Sequence, residues 1–239
     1  MGKILFIADI HGNMPALRAL EKEISKISPD QIWFVGDAVG KGPEGAEAID
    51  WVRKNCDRCV QGNWDDGVCR NFHDHGYPPN DFFGEQIGEE RVNWLESLPF
   101  EDEILISGLN FRVLHGRPTD RLFQAYDSWE EMAEGFTSKL TGKKYDSYIC
   151  ADSHMPYIRA CNQGYAINTG SVGNSLGIPR VHALIIEGDV GETEKTSLRC
   201  EILSIPYDNE EAAKVAEQYP DLPNLKAYQT EVRTGVYSR

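Results

Sequence analysis

The sequence predicts a mixed α/β (α+β) fold, and three observations lead to this prediction. The first 63 of the 239 residues alternate between short apolar runs and amphipathic segments in a β-α-β-α-β order, which is typical of a parallel sheet. The apolar runs of the second half are separated by short turns, which indicates mostly antiparallel pairing. Because no internal repeat or low-complexity linker interrupts the chain, we expect one domain over residues 1–239, with a lid or insertion at about residues 67–99.

Short continuous apolar runs predict the strands, and helical spacing of apolar residues predicts the helices. Asn13 is a suitable N-cap for the first helix, and Pro15 fits its first turn. In the first half we predict strands at 4–8, 32–35 and 59–61, helices at 13–27, 43–54 and 87–98, and a loop rich in Pro, Asn and aromatic residues at 73–84.

The second half contains more strands than helices. We predict hairpins over 103–115 and 157–168, strands at 145–151, 181–187 and 198–205, and helices at 129–140 and 209–218. Pro220 and Pro223 indicate an irregular segment after the last of these, because proline does not continue a helix.

The composition excludes several classes of function. With 38 Asp and Glu against 24 Lys and Arg, the formal net charge is −14, which disfavours a stable complex with nucleic acid. Six cysteines in 239 residues are too few for a disulfide scaffold. The absence of a signal-peptide pattern or a long apolar run favours a cytoplasmic protein without a membrane partner. The oligomeric state stays open.

Residues that bind metals collect where predicted strands end. Asp9 and His11 follow the first strand, and Asp152 and His154 follow the strand at 145–151. On an extended chain, residues i and i+2 point the same way, so each pair can direct two ligands at one cavity. Three further residues with suitable ligand atoms follow other predicted strands: Asp37, Asn63 and His115. Seven such groups exceed the needs of one tetrahedral zinc ion and suit two divalent ions.

These motifs resemble the calcineurin-like metallophosphoesterase superfamily. The matching segments are Asp9-x-His11-Gly-Asn, Gly36-Asp37-x-x-Gly40, Gly62-Asn63-x-Asp65, His115-Gly116 and Asp152-x-His154. Asn168-Thr169-Gly170-Ser171-Val172-Gly173 is similar to the Asn-Pro-Gly-Ser-Val-Gly segment of its small bacterial and archaeal phosphodiesterase branch. The resemblance implies two packed mixed β-sheets flanked by helices, and hydrolysis of phosphoesters at a dinuclear metal centre with a bridging hydroxide.

The resemblance also implies a role for each matching position. The first ion would be bound by Asp9, His11 and His154, the second by Asn63, His115 and Asp152, and both by Asp37. Asp65 and Asn63 are expected to serve catalysis, the former by orienting the site. Contacts to substrate are expected from Arg117, Asn13, Gly170 and Ser171. The ions would be of the Mn, Fe, Zn or Ni type, and no other cofactor is expected.

Two positions depart from the family pattern. Asp152 stands where members commonly have a histidine, so a carboxylate would replace an imidazole on the second ion. Trp64 stands where many members have a histidine that helps protonate the leaving group, which an indole does not do. His73 or His75 is an alternative proton donor, although exposed loop histidines are the simpler interpretation.

We therefore expect a metal-dependent phosphoesterase that acts on a small phosphomonoester, phosphodiester or phosphoanhydride. Two alternatives remain open: a serine/threonine phosphoprotein phosphatase, and a metal-binding scaffold protein that has lost catalysis. Two divalent ions would change the charge of the chain from −14 to −10, so the acidic balance is compatible with a small phosphorylated substrate.

Overall fold

The computed structural model describes all 239 residues and contains two five-stranded sheets. The first sheet has the order β10-β9-β1-β2-β3, with β1 (Gly2–Ile7), β2 (Gln31–Phe34), β3 (Arg58–Cys59), β9 (Val181–Gly188) and β10 (Arg199–Ile205). The second has the order β4-β5-β6-β8-β7, with β4 (Glu101–Ile106), β5 (Leu109–Leu114), β6 (Ser147–Cys150), β7 (Tyr157–Ala160) and β8 (Tyr165–Asn168). Both sheets are mixed, as expected.

The sheets pack against each other through a buried apolar inner layer. One buried apolar cluster fills the space between the sheets. In it, Phe6 and Val35 from the side of the first sheet pack with Phe111, Val113 and Ile149 from the second. Alternate residues of β1, such as Leu5 and Ile7, face the opposite way into the larger core beneath the helices. This alternation explains why β1 is apolar throughout, since a strand covered on both faces has no solvent side.

Helices cover the outer face of the first sheet. They are α1 (Met14–Ile27), α2 (Gly45–Asn55), α3 (Asn63–Asp74), α4 (Asp81–Glu96), α6 (Asn209–Glu217) and α7 (Leu225–Thr234). The side chain of Asn13 accepts a hydrogen bond from Ala16 N at 3.1 Å and so caps α1, as predicted. The outer face of the second sheet carries a smaller cluster under the short helix α5 (Trp129–Ala133).

The structure corrects four predicted elements. The expected loop at 73–84 is mostly helical, because the ends of α3 and α4 enter it and Phe83 is buried in the core. The helix expected over 129–140 ends at Ala133, and residues 134–136 form a 3₁₀ turn. The segment after Pro223 forms α7, whose Tyr228 is buried. The centre of the second sheet is parallel, since β6 pairs in parallel with both β5 and β8.

Residues 67–99, expected as a lid or insertion, contain most of α3 and all of α4. Val68, Ile87, Val92 and Leu95 of this segment are buried in the main core. A movement of this segment as a lid stays a prediction. None of the helices is long and apolar enough to cross a membrane.

We expect His182 on β9 to make folding stability depend on pH. Burial, followed by the charge of Arg180, lowers the pKa of its imidazole to about 4. Between pH 6.5 and 4 the unfolded chain therefore binds a proton that the folded chain does not, so stability falls as pH falls. Compared with wild type, His182→Gln should lose about 1–2 kcal/mol less stability between pH 7 and pH 5, measured by urea unfolding with chelator present. Equal losses for the two proteins would contradict this assignment.

Candidate metal centre

The seven predicted metal ligands lie together at one edge of the paired sheets. Asp9 and His11 follow β1, Asp37 follows β2, and Asn63 begins α3 just after β3. From the second sheet, His115 follows β5, and Asp152 and His154 follow β6. Six of the seven are buried, the exception being the half-buried Asn63.

Five of these residues have a left-handed backbone although none is glycine. Their φ angles are 53° at Asp9, 49° at His11, 63° at Asp37, 68° at Asp152 and 60° at His154. Each such conformation costs about 1–3 kcal/mol, which the surrounding structure must offset. The sequence argument that placed the i and i+2 side chains together on an extended chain was wrong, because sharp turns at the strand ends bring them together instead.

Backbone carbonyls orient all three imidazoles in the same manner. The Nδ1–H groups donate as follows: His11 to Val39 O at 2.8 Å, His115 to Val35 O at 2.7 Å, and His154 to Asn174 O at 2.6 Å. Each Nε2 atom therefore points at the centre of the site, which is the arrangement found in metal-binding histidines.

The centre contains atoms that would repel one another without a cation. Burial lowers the pKa values of His11 and His154 well below the usual range, so both rings are neutral at pH 7. Their Nε2 lone pairs nevertheless lie only 3.2 Å apart. Both carboxylate oxygens of Asp9 and Oδ2 of Asp37 are buried without a hydrogen-bond partner. Burial also raises the pKa of Asp9 well above its ordinary value. Because orphaned buried carboxylates are costly, this donor set fits divalent cations.

The ligand atoms form two groups that share a carboxylate. One consists of Asp9, His11 and His154, and the other of Asp9, Asp37 and His115. In the first group, His154 Nε2 lies 3.5 Å from Asp9 Oδ1. Two ligand atoms at adjacent coordination positions, each about 2.1 Å from one ion, are about 3 Å apart. The ligand atoms of this group therefore need to move together only slightly to bind a cation.

Asp37 belongs to the second group and also lies close to His11 of the first. Its Oδ2 is 3.6 Å from His11 Nε2 and 3.3 Å from His115 Nε2. Its Oδ1 accepts a hydrogen bond from Trp64 N at 2.8 Å, which fixes the carboxylate plane. Asn63 Oδ1 lies 3.2 Å from His115 Nε2 and completes the second group. The placement suits a carboxylate that binds both ions.

Asp152 is already engaged by a guanidinium. Arg117 donates from Nη2 to Asp152 Oδ1 at 2.6 Å and from Nε to Oδ2 at 2.9 Å. Asp152 Oδ1 also lies 4.0 Å from His115 Nε2, at the margin of the second group. Arg117 therefore neutralises the charge of the Asp152 carboxylate, which stands where the family resemblance implies a histidine. In this arrangement its guanidinium is not free to bind substrate.

Asp65 stabilises the backbone around the site without facing the ligand atoms. Its carboxylate accepts hydrogen bonds from the backbone N–H groups of Asp37 at 2.8 Å, Ala38 at 2.9 Å and Gly62 at 3.1 Å. Burial, followed by the charge of Asp37, raises its pKa to about 6. Asp65 thus joins the turn after β2 to the start of α3, which suits a positioning residue.

Three residues expected to contact substrate are placed elsewhere. Asn13 caps α1 and donates to Gly173 O at 2.7 Å. Ser171 Oγ donates to Asp9 O at 2.9 Å, and Gly170 packs against His182. All three are buried outside the cleft, so this geometry supports a role in holding the Asp9 loop instead of contact with substrate.

A cleft of about 560 Å³ leads to the centre. Its lining includes three candidate ligands, Asn63, Asp152 and His154, together with Trp64, Arg117 and Leu176. His73 and His75 do not line it. They are exposed and pair with Glu96 at 2.9 Å and Asp81 at 3.1 Å, respectively.

Two cationic residues in the cleft were missed by sequence reasoning. Lys41 is buried and donates to Asn174 Oδ1 at 2.8 Å. Arg239 enters the cleft from the chain after α7. The position of Lys41, four residues after Asp37, was a usable signal. Nothing near Arg239 in the sequence predicts its location.

Comparison with known proteins identifies the family. The sequence model of the calcineurin-like phosphoesterase superfamily domain matches residues 3–190. The chain belongs to this superfamily. Members of the superfamily are metallophosphoesterases, so the chain is classed as a phosphoester hydrolase that depends on divalent metal.

Individual relatives refine this picture. An uncharacterized protein of Methanocaldococcus jannaschii is 26% identical over 231 residues, covering 87% of this chain and 89% of the relative. A symmetrical bis(5'-nucleosyl)-tetraphosphatase of Erwinia tasmaniensis is 34% identical over 104 residues, which is only 39% of this chain and 37% of that enzyme. The structure of a metallophosphoesterase from Sphaerobacter thermophilus shares the fold over 98% of this chain and 99% of that one, with a TM-score of 0.76 and 22% identity.

We predict that Gly62→Ala disrupts the centre. A Cβ at this position would overlap the carboxylate of Asp37, and the neighbouring backbone leaves no room for either to move. Bound metal measured by mass spectrometry should fall by at least half in the purified variant. Gly67→Ala, within α3 and five residues after the N-cap Gly62, is the matched control, because its Cβ meets only Asn80 at 3.8 Å and should leave metal content unchanged.

Proposed function

We propose that this chain hydrolyses a small phosphorylated substrate with two divalent ions bound by the shared-carboxylate site. The observation that carries the proposal is the pair of neutral imidazole nitrogens 3.2 Å apart beside three orphaned carboxylate oxygens. Asp9, His11 and His154 would hold one ion. Asn63, His115 and Asp152 would hold the other, and Asp37 would bind both. Such ions activate a water molecule and stabilise charge on the phosphoryl oxygens.

Residues of the chain would then position the substrate. The amide of Asn63 lines the cleft, where its Nδ2 can donate to a phosphoryl oxygen. Leu122, Met155 and Leu176 line the cleft with apolar surface, which limits the access of bulk water. The phosphorus would lie between these groups and the ligands, with the leaving group towards the cleft mouth.

The nature of Trp64 favours particular leaving groups. Its ring lines the cleft and meets His11 edge to face at a centroid distance of 6.1 Å. Since an indole does not act as a general acid, the leaving group must depart without a proton from this position. Phosphoanhydrides and aryl phosphates satisfy that condition. The partial match to symmetrical bis(5'-nucleosyl)-tetraphosphatases makes dinucleoside polyphosphates the first substrate class to test.

The size and rim of the cleft favour a small molecule over a phosphoprotein. Its volume of about 560 Å³ suits a nucleotide-sized ligand. Tyr126 and Tyr237 line the cleft and are 77% and 60% exposed, which leaves their rings available to stack on a base. A phosphoserine peptide hydrolysed faster than any nucleotide would contradict this choice.

Metal content and turnover test the proposal together. We expect two divalent ions per chain in the metal-loaded protein and turnover of p-nitrophenyl phosphate that a chelator abolishes and added metal restores. His154→Ala should lose about one ion per chain and at least 100-fold in kcat, because it removes one of the four protein groups, Asp9, His11, His154 and the shared Asp37, proposed to bind the first ion. His73→Ala, an exposed histidine outside the cleft, is the control and should match wild type.

Other outcomes are equally informative. One ion per chain would contradict the dinuclear proposal, and metal binding without turnover of any mono-, di- or anhydride substrate would support the scaffold alternative. Full activity of Asp37→Ala would contradict the bridging role of Asp37.

A further inference from the structure

The segment after α7 folds back towards the metal centre. Gly235 ends α7 with a left-handed φ of 68°, and its carbonyl accepts a hydrogen bond from Gly177 N at 2.8 Å. Ser238 N then donates to Glu231 Oε1 at 3.2 Å, which ties the segment to α7. These contacts carry the Arg239 side chain into the cleft, where its guanidinium lies 5.7 Å from the centroid of the Trp64 ring.

Two nitrogen atoms of the Arg239 guanidinium lack a hydrogen-bond acceptor. Its side chain is only 12% exposed, yet Nε and Nη2 have no hydrogen-bond partner. The nearest carboxylate oxygen is Glu231 Oε2, 3.4 Å from Nε and outside hydrogen-bond geometry. That oxygen already accepts from Asn174 Nδ2 at 3.2 Å and lies 3.9 Å from Lys41 Nζ. Arg239 is therefore ion-paired with Glu231 but keeps two buried N–H donors without hydrogen-bond partners, and such a guanidinium in the cleft of a phosphoesterase is suited to an anionic oxygen of a ligand.

The other cations of the cleft are less available. The guanidinium of Arg117 donates hydrogen bonds to both carboxylate oxygens of Asp152. Lys41 donates to Asn174 and is almost fully buried. Arg239 is therefore the guanidinium that can bind a second anionic group while the reacting phosphoryl group occupies the metal centre.

We propose that Arg239 is a specificity-determining residue that binds a non-reacting phosphoryl group, so that the chain selects phosphoanhydrides over simple phosphomonoesters. This inference rests on the proposed function. In the reaction, the oxygen of water bonds to the reacting phosphorus and the bridging P–O bond breaks. The leaving phosphate keeps the electron pair, and the released proton passes to solvent. The contact of Arg239 with that leaving phosphate would offset the missing general acid at Trp64.

The test compares two substrates in each variant. We measure kcat/KM for diadenosine tetraphosphate and for p-nitrophenyl phosphate with the metal-loaded enzyme. Arg239→Gln should lower the ratio of the two values at least tenfold, because a charge-assisted bidentate contact is lost only with the anhydride. Arg239→Lys should recover part of the ratio. Arg233→Gln, which removes an equal charge from a surface ion pair between Arg233 of α7 and Glu210 of α6, should leave the ratio unchanged.

A binding measurement separates this inference from the proposed function. By calorimetry, the metal-loaded wild type should bind pyrophosphate more tightly than orthophosphate, and Arg239→Gln should lose that preference. Equal effects of Arg239→Gln on both substrates and both anions, or no effect on any, would overturn the inference. If the metal-loaded wild type turns over neither substrate, the proposed function is overturned. The preference for pyrophosphate over orthophosphate still tests the role of Arg239 in that case. Thermal melting confirms that each variant is folded.

Discussion

The concentration of buried carboxylate oxygens and bare imidazole nitrogens at one point is the constraint on which the structure depends. Apolar strands carry these groups to the edge of both sheets, and no protein donor reaches either carboxylate oxygen of Asp9. Positive charge at the centre stabilises such an arrangement. The fold therefore places carboxylate oxygens and imidazole nitrogens that repel one another at a point where a cation from solution would make their close approach favourable.

The same constraint explains the unusual backbone around the site. Left-handed turns at Asp9, Asp37 and Asp152 end their strands abruptly, and each turn directs a side chain inward. Backbone bonds to Asp65 and Ser171 hold two of these turns in place. The energy that the turns cost is offset by hydrogen bonds to residues distant in sequence, so the site and the packing of the two sheets are interdependent.

Much of the fold was predictable from local patterns. The strands and most helices follow from apolar spacing, and the seven candidate ligands follow from polar residues at strand ends. The comparisons confirm the predicted family and two-sheet fold. The roles of the individual ligands remain proposals, supported by their convergence in space.

The remainder depended on contacts that sequence spacing does not encode. The sequence patterns did not predict helix α7, because two prolines precede it. Its stability comes from burial of Tyr228 and Val232 against the rest of the core. The pairing of Arg117 with Asp152 joins two loops 35 residues apart. Arg239 reaches the cleft only through the fold-back after Gly235, which requires the whole tertiary structure.

The ring of Trp64 has a consequence for how this site can change over evolutionary time. It lies against Gly40, where any side chain would collide with the indole, and beneath the guanidinium of Arg239. A histidine at position 64 would therefore open a void beside Gly40 and remove the indole ring that faces the guanidinium of Arg239. A substitution at position 64 that supplies a general acid would thus also change the packing at Gly40 and the surroundings of Arg239.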